Sequence, residues 1–325
     1  MSRSAPEGAL ATCVLPAAAR LGECPVWSPH EARLYWVDID GRAVHRFDPR
    51  TGLDEQRPAP GRPASLALTA TAGRLLVAVE RRLDFLDWDS GAWLDWVVLE
   101  RDVAAGPGAG GRSPEGGDEA GGGNRLNDGR CDPAGRFWVG SMFDPSSAGR
   151  ATGLLHRVER DGTAVTVRTG IGVSNGLAFA PDGRTMYFAD THRDVVWAYD
   201  YDADTGEASN ERVFLDFGPL PGRPDGACVD QDGCYWIACV YGWAVLRVTP
   251  GGAIDRQIAV PVEKPTMPAF GGNDLSTLFI TSIGGGGSHA IDPTQPDAGG
   301  LFAVETGLRG LPEPRFEGGP APVAT

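Results

Sequence analysis

The stretch GLAFAPDGRTMYFAD, residues 176–190, consists of two short apolar runs on either side of a Pro-Asp-Gly turn. Both runs contain aromatic side chains, and neither has the spacing or the caps of an amphipathic helix. Gly preceded by Asp or Asn is typical of the tight turn that joins two antiparallel strands. The stretch therefore predicts a β-hairpin.

The second run of this hairpin recurs along the chain. Runs of the same character start at Arg33, Arg74, Arg136, Thr185, Cys234 and Thr277. Their starts are separated by 41, 62, 49, 49 and 43 residues, and four of these gaps fall in the range of about 40–50 residues that one propeller blade occupies. The pattern predicts an all-β, six-bladed β-propeller with four-stranded antiparallel blades around a central metal-binding channel. A pair of β-sandwiches is the alternative, but a ring accounts better for six near-equal repeats.

The longest gap between runs contains a segment dominated by Gly, Ala, Pro and acidic residues, at about 104–123. Such a composition cannot bury a core, so we interpret the segment as a flexible inserted loop. We treat the 325 residues as a single propeller domain, 1–325, with its core at about 21–305.

Composition restricts the partners. The chain has 29 basic and 43 acidic residues, a net charge of −14, which disfavours binding to nucleic acid or to an anionic membrane surface. No apolar stretch approaches the roughly 18 residues of a membrane span, and no signal peptide is recognisable. We expect a cytoplasmic protein that is a monomer or a weak homo-oligomer.

Polar side chains recur at a fixed distance before the runs. Nine or ten residues ahead of four run starts stand Glu23, Asn127, Asn175 and Asp225, and Arg125 lies near one of them. Any one Asn-Gly or Asp-Gly could be only a hairpin turn. Four at matched offsets in different blades favour a cluster at one mouth of the channel, and their oxygen atoms suit a hard divalent cation.

The chain also resembles a known family, that of regucalcin (senescence marker protein) and gluconolactonase, which are six-bladed propeller lactonases. The resemblance extends from about Leu21 to Phe302. It is carried by the stretches Gly22–Trp27, Asn124–Arg136, Val173–Leu177, Pro224–Asp230 and Gly299–Phe302.

The resemblance implies roles for the candidate residues. Glu23, Asn175 and Asp225 would hold one divalent metal, with Ca²⁺ expected first and Mg²⁺, Mn²⁺, Zn²⁺ or Fe²⁺ as alternatives. Asp225 would also be the catalytic acid/base, and Arg125 and Asn127 would contact the sugar lactone. The implied reaction is metal-dependent hydrolysis of a sugar-derived lactone (aldonolactone) to the aldonic acid in carbohydrate oxidation.

One departure from the family affects the pocket. Some members carry a substrate-contacting glutamate where this chain has Pro145, beside Asp144. Two alternatives stay open beside the sugar lactonase: a related propeller hydrolase acting on an ester or phosphotriester, and a non-enzymatic calcium-binding propeller.

Overall fold

The computed structural model of the protein describes residues 9–101 and 122–319. These residues form 24 strands in six four-stranded antiparallel sheets. The second strand of each blade begins at the first or second residue of one of the six predicted runs. The prediction of an all-β, six-bladed propeller is therefore confirmed. The segment predicted as an inserted loop, about 104–123, lies outside the described residues except for its last two positions.

The strands have the following bounds. In chain order they are β1 (Thr12–Leu15), β2 (Gly22–Ser28), β3 (Arg33–Asp38), β4 (Ala43–Asp48), β5 (Leu53–Pro58), β6 (Pro63–Leu68), β7 (Arg74–Val79), β8 (Arg82–Asp87), β9 (Trp93–Val98), β10 (Gly123–Cys131), β11 (Phe137–Asp144), β12 (Gly153–Val158), β13 (Ala164–Ile171), β14 (Ser174–Phe179), β15 (Thr185–Asp190), β16 (Val195–Asp202), β17 (Glu207–Asp216), β18 (Arg223–Val229), β19 (Tyr235–Val240), β20 (Ala244–Val248), β21 (Ile254–Ala259), β22 (Pro265–Gly271), β23 (Thr277–Ser282) and β24 (Leu301–Glu305). Two 3-10 helices, Ser146–Ala148 and Thr191–Arg193, complete the elements of the described residues. No helix in that part of the chain is long and apolar enough to cross a membrane.

Five blades are built from four consecutive strands each, and the sixth combines both ends of the chain. Blades 1 to 5 are β2–β5, β6–β9, β10–β13, β14–β17 and β18–β21, whereas blade 6 has the order β22-β23-β24-β1. In blade 6, Thr12 pairs with Ala303 and Cys13 with Phe302. The first strands of neighbouring blades contact one another, so these inner strands line the centre of a closed ring.

Large aromatic side chains fill the spaces around the second strands. Trp36, Trp138 and Trp236 are almost completely buried. The indole N–H of Trp138 donates to Asp132 Oδ2 at 3.2 Å, and that of Trp236 donates to Asp230 Oδ2 at 2.8 Å. Each indole thus buries its rings without leaving its N–H unpaired. This packing fixes the inner strands, which carry the candidate site.

Candidate active site

All six inner strands carry an irregularity of register near their N-terminal ends. The breaks lie between Glu23 and Val26, Pro63 and Ser65, Leu126 and Gly129, Asn175 and Ala178, Pro224 and Ala227, and Pro265 and Pro268. Bulges of this kind re-aim side chains and are frequent beside active sites. Glu23 and Asn175 are the last paired residues before their breaks, and Asn127 and Asp225 lie inside theirs. The structure thus places the four predicted residues at matched levels of four blades.

Two of these irregularities use left-handed backbone. Cys24 has φ +46° and Gly176 has φ +62°. The Cys24 N–H points back to Glu23 and donates to its Oε2 at 3.2 Å. A Cβ atom added at Gly176 would lie 2.5 Å from the hydroxyl of Tyr235, which donates to the Gly176 carbonyl at 2.7 Å. Only glycine fits after Asn175, because any larger residue would meet both the steric clash and the strained φ.

A chain of hydrogen bonds joins three of the predicted residues. Arg125 Nη1 donates to Asn127 Oδ1 at 2.7 Å. Asn127 Nδ2 in turn donates to Asn175 Oδ1 at 3.1 Å and to the backbone carbonyl of Ser174 at 2.9 Å. All three side chains are buried. The structure therefore brings Arg125, Asn127 and Asn175 into one polar group.

Two predicted carboxylates lie close enough to repel each other. Burial, the charge of Glu23 and the charge of Asp128 raise the pKa of Asp225 well above its usual value, against the Gly226 N–H and Arg125. Glu23 is partly exposed, and desolvation together with the charge of Asp128 raises its pKa to about 8. Without a cation, these groups resist being ionised together.

Asp128 is a third carboxylate that the sequence pattern did not select. Burial raises the pKa of Asp128 to about 6, against the Leu177 N–H and the charge of Arg130. Its Oδ2 accepts from Leu177 N at 2.8 Å, whereas its buried Oδ1 has no hydrogen-bond partner among the described residues. The spacing of nine or ten residues before each run selected Asn127 and did not select Asp128, the residue that follows it. The available signal was a carboxylate within the same Asn-Asp-Gly motif.

The donor set fits a hard divalent cation. Within residues 9–101 and 122–319, no three His, Cys, Asp or Glu side chains are grouped so that they could hold a metal by themselves. A site here would have to combine the carboxylates with neutral oxygen donors, and the predicted Asn175 amide is one such donor. The raised pKa values of Glu23 and Asp225 mean that ionising both groups is unfavourable in the metal-free protein. The two positive charges of a divalent cation would balance these two carboxylates, and oxygen donors suit Ca²⁺ and Mg²⁺.

An ion network lies at the mouth on the side of blades 1 to 3. Arg62 Nη1 donates to Asp144 Oδ2 at 2.7 Å, and Arg62 Nη2 contacts Glu80 Oε2 at 3.2 Å. Asp144 is also the carboxylate that acts most strongly on the charge of Arg125. Pro145 follows Asp144 and has no polar side chain of its own. Asp144, held by Arg62, is therefore an acidic group directly beside the position of Pro145.

The other side of the mouth carries an aromatic ring and two basic groups. Tyr241 has φ +66° and is 46% exposed. Lys264 Nζ lies 5.5 Å from the centroid of the Tyr241 ring. Burial and the charge of Lys264 lower the pKa of His289. The sequence pattern identified none of these three residues, because they lie in loops or next to strand ends, away from the matched offsets.

Comparison with known proteins gives a consistent result. Residues 21–284 match the family described as the SMP-30/gluconolactonase/LRE-like region. A 6-deoxy-6-sulfogluconolactonase from Pseudomonas putida is 37% identical over 307 residues, covering 94% of this chain and 98% of the relative. A pentonolactonase from Haloferax volcanii is 36% identical over 310 residues, with the same coverage. The crystal structure of a calcium-binding regucalcin from Agrobacterium tumefaciens has a TM-score of 0.84 at 27% identity, covering 98% of this chain and 100% of that one.

Proposed function

The chain belongs to the SMP-30/gluconolactonase/LRE-like family, and on that premise we propose that it is a hydrolase that opens sugar-derived lactones to aldonic acids in carbohydrate oxidation. The relatives named as lactonases for a sulfonated gluconolactone and for pentonolactones align with nearly the whole chain. The observation that carries the proposal is the pair of repelling carboxylates, Glu23 and Asp225, set beside a buried arginine at the mouth of the ring.

We further propose that Glu23, Asn175 and Asp225 hold one divalent metal ion, Ca²⁺ in the first place. The fit of the donor set supports this assignment, and so does the calcium-binding regucalcin among the similar structures. When bound, the cation supplies positive charge that polarises the lactone carbonyl and stabilises the negative oxygen that develops there. The same charge favours the ionised form of Asp225.

Asp225 acts as the general base and then as the general acid. Its carboxylate takes a proton from a water molecule while the water oxygen bonds to the carbonyl carbon of the lactone. The bond from that carbon to the ring oxygen then breaks, and the proton passes from Asp225 to the departing oxygen. Atoms and charges balance: one water molecule is consumed, and the product is a hydroxy acid.

Arg125 orients the substrate. Its Nη1 is held by Asn127 Oδ1, and its buried Nε has no hydrogen-bond partner within the described part of the chain. A guanidinium carries five N–H donors, more than these bonds use, so Arg125 can also donate to a substrate hydroxyl or carbonyl oxygen. Asn127 fixes the plane of the guanidinium and adds polar surface to the pocket, so both residues serve the sugar ring.

We also propose a cytoplasmic protein that is a monomer or a weak homo-oligomer. The net charge of −14 supports a soluble state with little self-association. Sedimentation velocity at several protein concentrations tests the oligomeric state, and a stable large assembly would contradict it.

The proposed function is tested with a panel of aldonolactones. Metal-stripped protein is assayed with Ca²⁺, Mg²⁺, Mn²⁺, Zn²⁺ or Fe²⁺ restored one at a time, after subtraction of spontaneous opening. Asp225→Asn is assayed in parallel. Asp182→Asn is the matched control, because Asp182 lies in an exposed hairpin turn, where its Oδ1 accepts from Arg184 N at 2.9 Å and an amide oxygen can do the same.

We expect metal-dependent hydrolysis that falls by about 10²–10⁴-fold in Asp225→Asn and is unchanged in Asp182→Asn. Hydrolysis of simple esters or phosphotriesters, but of no lactone, would instead support the related ester hydrolase. A folded protein that binds a cation and hydrolyses neither class would support a calcium-binding propeller without enzymatic activity.

A further inference from the structure

The hydrogen-bond chain of the site continues beyond Asn175 and ends on the backbone beside Asp225. Asn175 Nδ2 donates to Thr191 Oγ1 at 2.8 Å, and Thr191 Oγ1 donates to the carbonyl of Pro224 at 2.8 Å. Together with the bonds from Arg125 and Asn127 described above, this series of hydrogen bonds crosses blades 3, 4 and 5. It thus connects the proposed substrate contacts to two proposed metal ligands.

The donor-to-acceptor direction of this series of hydrogen bonds is fixed at both ends. Arg125 can only donate hydrogen bonds, and the Pro224 carbonyl can only accept them. Asn127 must therefore accept through Oδ1 and donate through Nδ2. Asn175 must likewise accept through Oδ1 and donate through Nδ2 to Thr191, whose single hydroxyl proton goes to Pro224. No side chain in the series can exchange its donor and acceptor positions without leaving a buried group unpaired.

Thr191 stands on a backbone that is itself held in place. It begins the 3-10 helix Thr191–Arg193, and its N–H donates to the Val173 carbonyl at 3.1 Å. The preceding residue, Asp190, accepts through Oδ1 from His192 N and Val173 N, both at 3.0 Å. These bonds hold the backbone that carries the Thr191 hydroxyl, and because Thr191 as a residue is only 9% exposed, water has little access to replace that hydroxyl.

We propose that Thr191 is a positioning residue that keeps the amide oxygen of Asn175, and not its NH₂ group, turned toward the metal site. This inference rests on the proposed function, because it assumes that Asn175 is a ligand. An amide NH₂ cannot coordinate a cation, so a half-turn of the Asn175 amide would remove one of three ligands. The bond from Thr191 to Pro224 also fixes the strand that carries Asp225. Outer partners of this kind commonly change metal affinity by 10–100-fold when they are removed.

The first experiment compares metal affinity in matched variants. Thr191→Val removes the hydroxyl and preserves the shape of the side chain, whereas Thr191→Ser retains the hydroxyl. Thr69→Val is the control. Thr69 is a buried threonine that follows the C-terminal end of β6 in blade 2, away from the candidate site. Its hydroxyl accepts from Thr71 N at 3.2 Å and donates to the Arg74 carbonyl at 2.9 Å. Calorimetric titration of each metal-free protein with Ca²⁺ gives the affinities, and circular dichroism reports folding.

We expect Thr191→Val to weaken Ca²⁺ binding by about 10–100-fold, Thr191→Ser to restore it, and Thr69→Val to leave it unchanged. If Thr191→Val does not fold, Thr191→Ala removes the same hydroxyl and takes its place. Wild-type affinity in the variant without the hydroxyl would overturn the inference, and so would a Ser variant as weak as the Val variant. A wild-type protein that binds no divalent cation would overturn the metal proposal itself, which is a distinguishable result.

A second experiment introduces Thr191→Val into the Asn175→Asp variant. It separates an effect on the orientation of the residue 175 side chain from a general loss of structure in the site. A carboxylate presents an oxygen whichever way it is turned, so in Asn175→Asp the orientation of the group no longer matters. We expect Thr191→Val to cause little further loss of Ca²⁺ affinity in that background. An equal loss in both backgrounds would show that Thr191 acts through structure alone and would overturn the inference.

Discussion

Desolvation of Glu23, together with the charge of Asp128, predicts that the metal-free protein becomes more stable when the Glu23 carboxylate is removed. Glu23→Gln removes one of the repelling carboxylates and keeps an oxygen that can accept from the Cys24 N–H. Because the pKa of Glu23 is raised from 4.5 to about 8, folding at pH 7 requires this group to take up a proton or to bear an unfavourable charge. We therefore expect metal-free Glu23→Gln to be more stable than metal-free wild type at pH 7.

The size of the effect follows from linkage between protonation and folding. Between the ordinary pKa of 4.5 and pH 7, about 1.4 kcal/mol per pH unit amounts to roughly 3–4 kcal/mol. Glu23 is partly exposed, so screening by solvent reduces the expected gain to about 2 kcal/mol, or roughly 4 °C in melting temperature. A group with a raised pKa stabilises the fold below pH 4.5 and loses that contribution as the pH rises through about 8. The difference between the two proteins should therefore vanish at pH 4 and grow toward pH 8.

The assay is thermal unfolding of the metal-free proteins over this pH range. Glu80→Gln is the control, because Arg62 holds the pKa of Glu80 below its usual value against the effect of burial, and the same substitution there should lower the stability at pH 7. Added Ca²⁺ should raise the melting temperature of wild type but not of Glu23→Gln. A Glu23→Gln protein that is no more stable than wild type at pH 7, or a difference independent of pH, would refute the reasoning.

Three further predictions concern the pocket, the ring and the outer strands. Arg125→Lys keeps the charge but loses the planar set of donors, so the KM for the preferred lactone should rise about tenfold; an unchanged KM would remove Arg125 from the pocket. Deletion of residues 1–16 removes β1 and exposes the edge of β24, so the melting temperature should fall by several degrees, and equal melting curves would contradict this. Hydrogen bonds, with His156 foremost, hold the pKa of Glu100 below 4.5 against the effect of burial, so stability should fall as the pH drops below that value. Glu100→Gln should flatten this decline in acid unfolding curves, and an unaltered acid limb would argue against the pairing.

The regular part of the fold was predictable because its signal repeats. The runs that begin at Arg33, Arg136 and Cys234 have the same length and chemistry, since each fills the same place in a blade. Strand β1 gives no such signal. Its residues are exposed or half-exposed, and its partner β24 lies almost 300 positions further along the chain, so local pattern could not reveal how the ring closes.

The candidate site likewise contains residues that the sequence could predict and residues that it could not. The matched positions of Asn127 and Asp225 could be predicted from the sequence because every inner strand breaks its register at a similar level, which keeps the offsets nearly constant. Thr191 could not be found, because it follows a second strand and approaches Asn175 only when the blades are assembled. Asp128 was hidden for a different reason, since a carboxylate in an Asn-Asp-Gly motif has the same sequence signature whether it forms a turn or lines a channel.

The pairing of β1 with β24 also has a consequence for folding during synthesis on the ribosome. Thr12 and Ala303, which pair in blade 6, are 291 residues apart. At a translation rate of about 5–20 residues per second, the first strand waits roughly 15–60 s before its partner has been made. During that time the earlier blades can form on the ribosome, but the circle stays open and the N-terminal segment is exposed to chaperones and proteases. Strand β1 therefore takes its place only when β24, in the last blade to be synthesised, is available to pair with it.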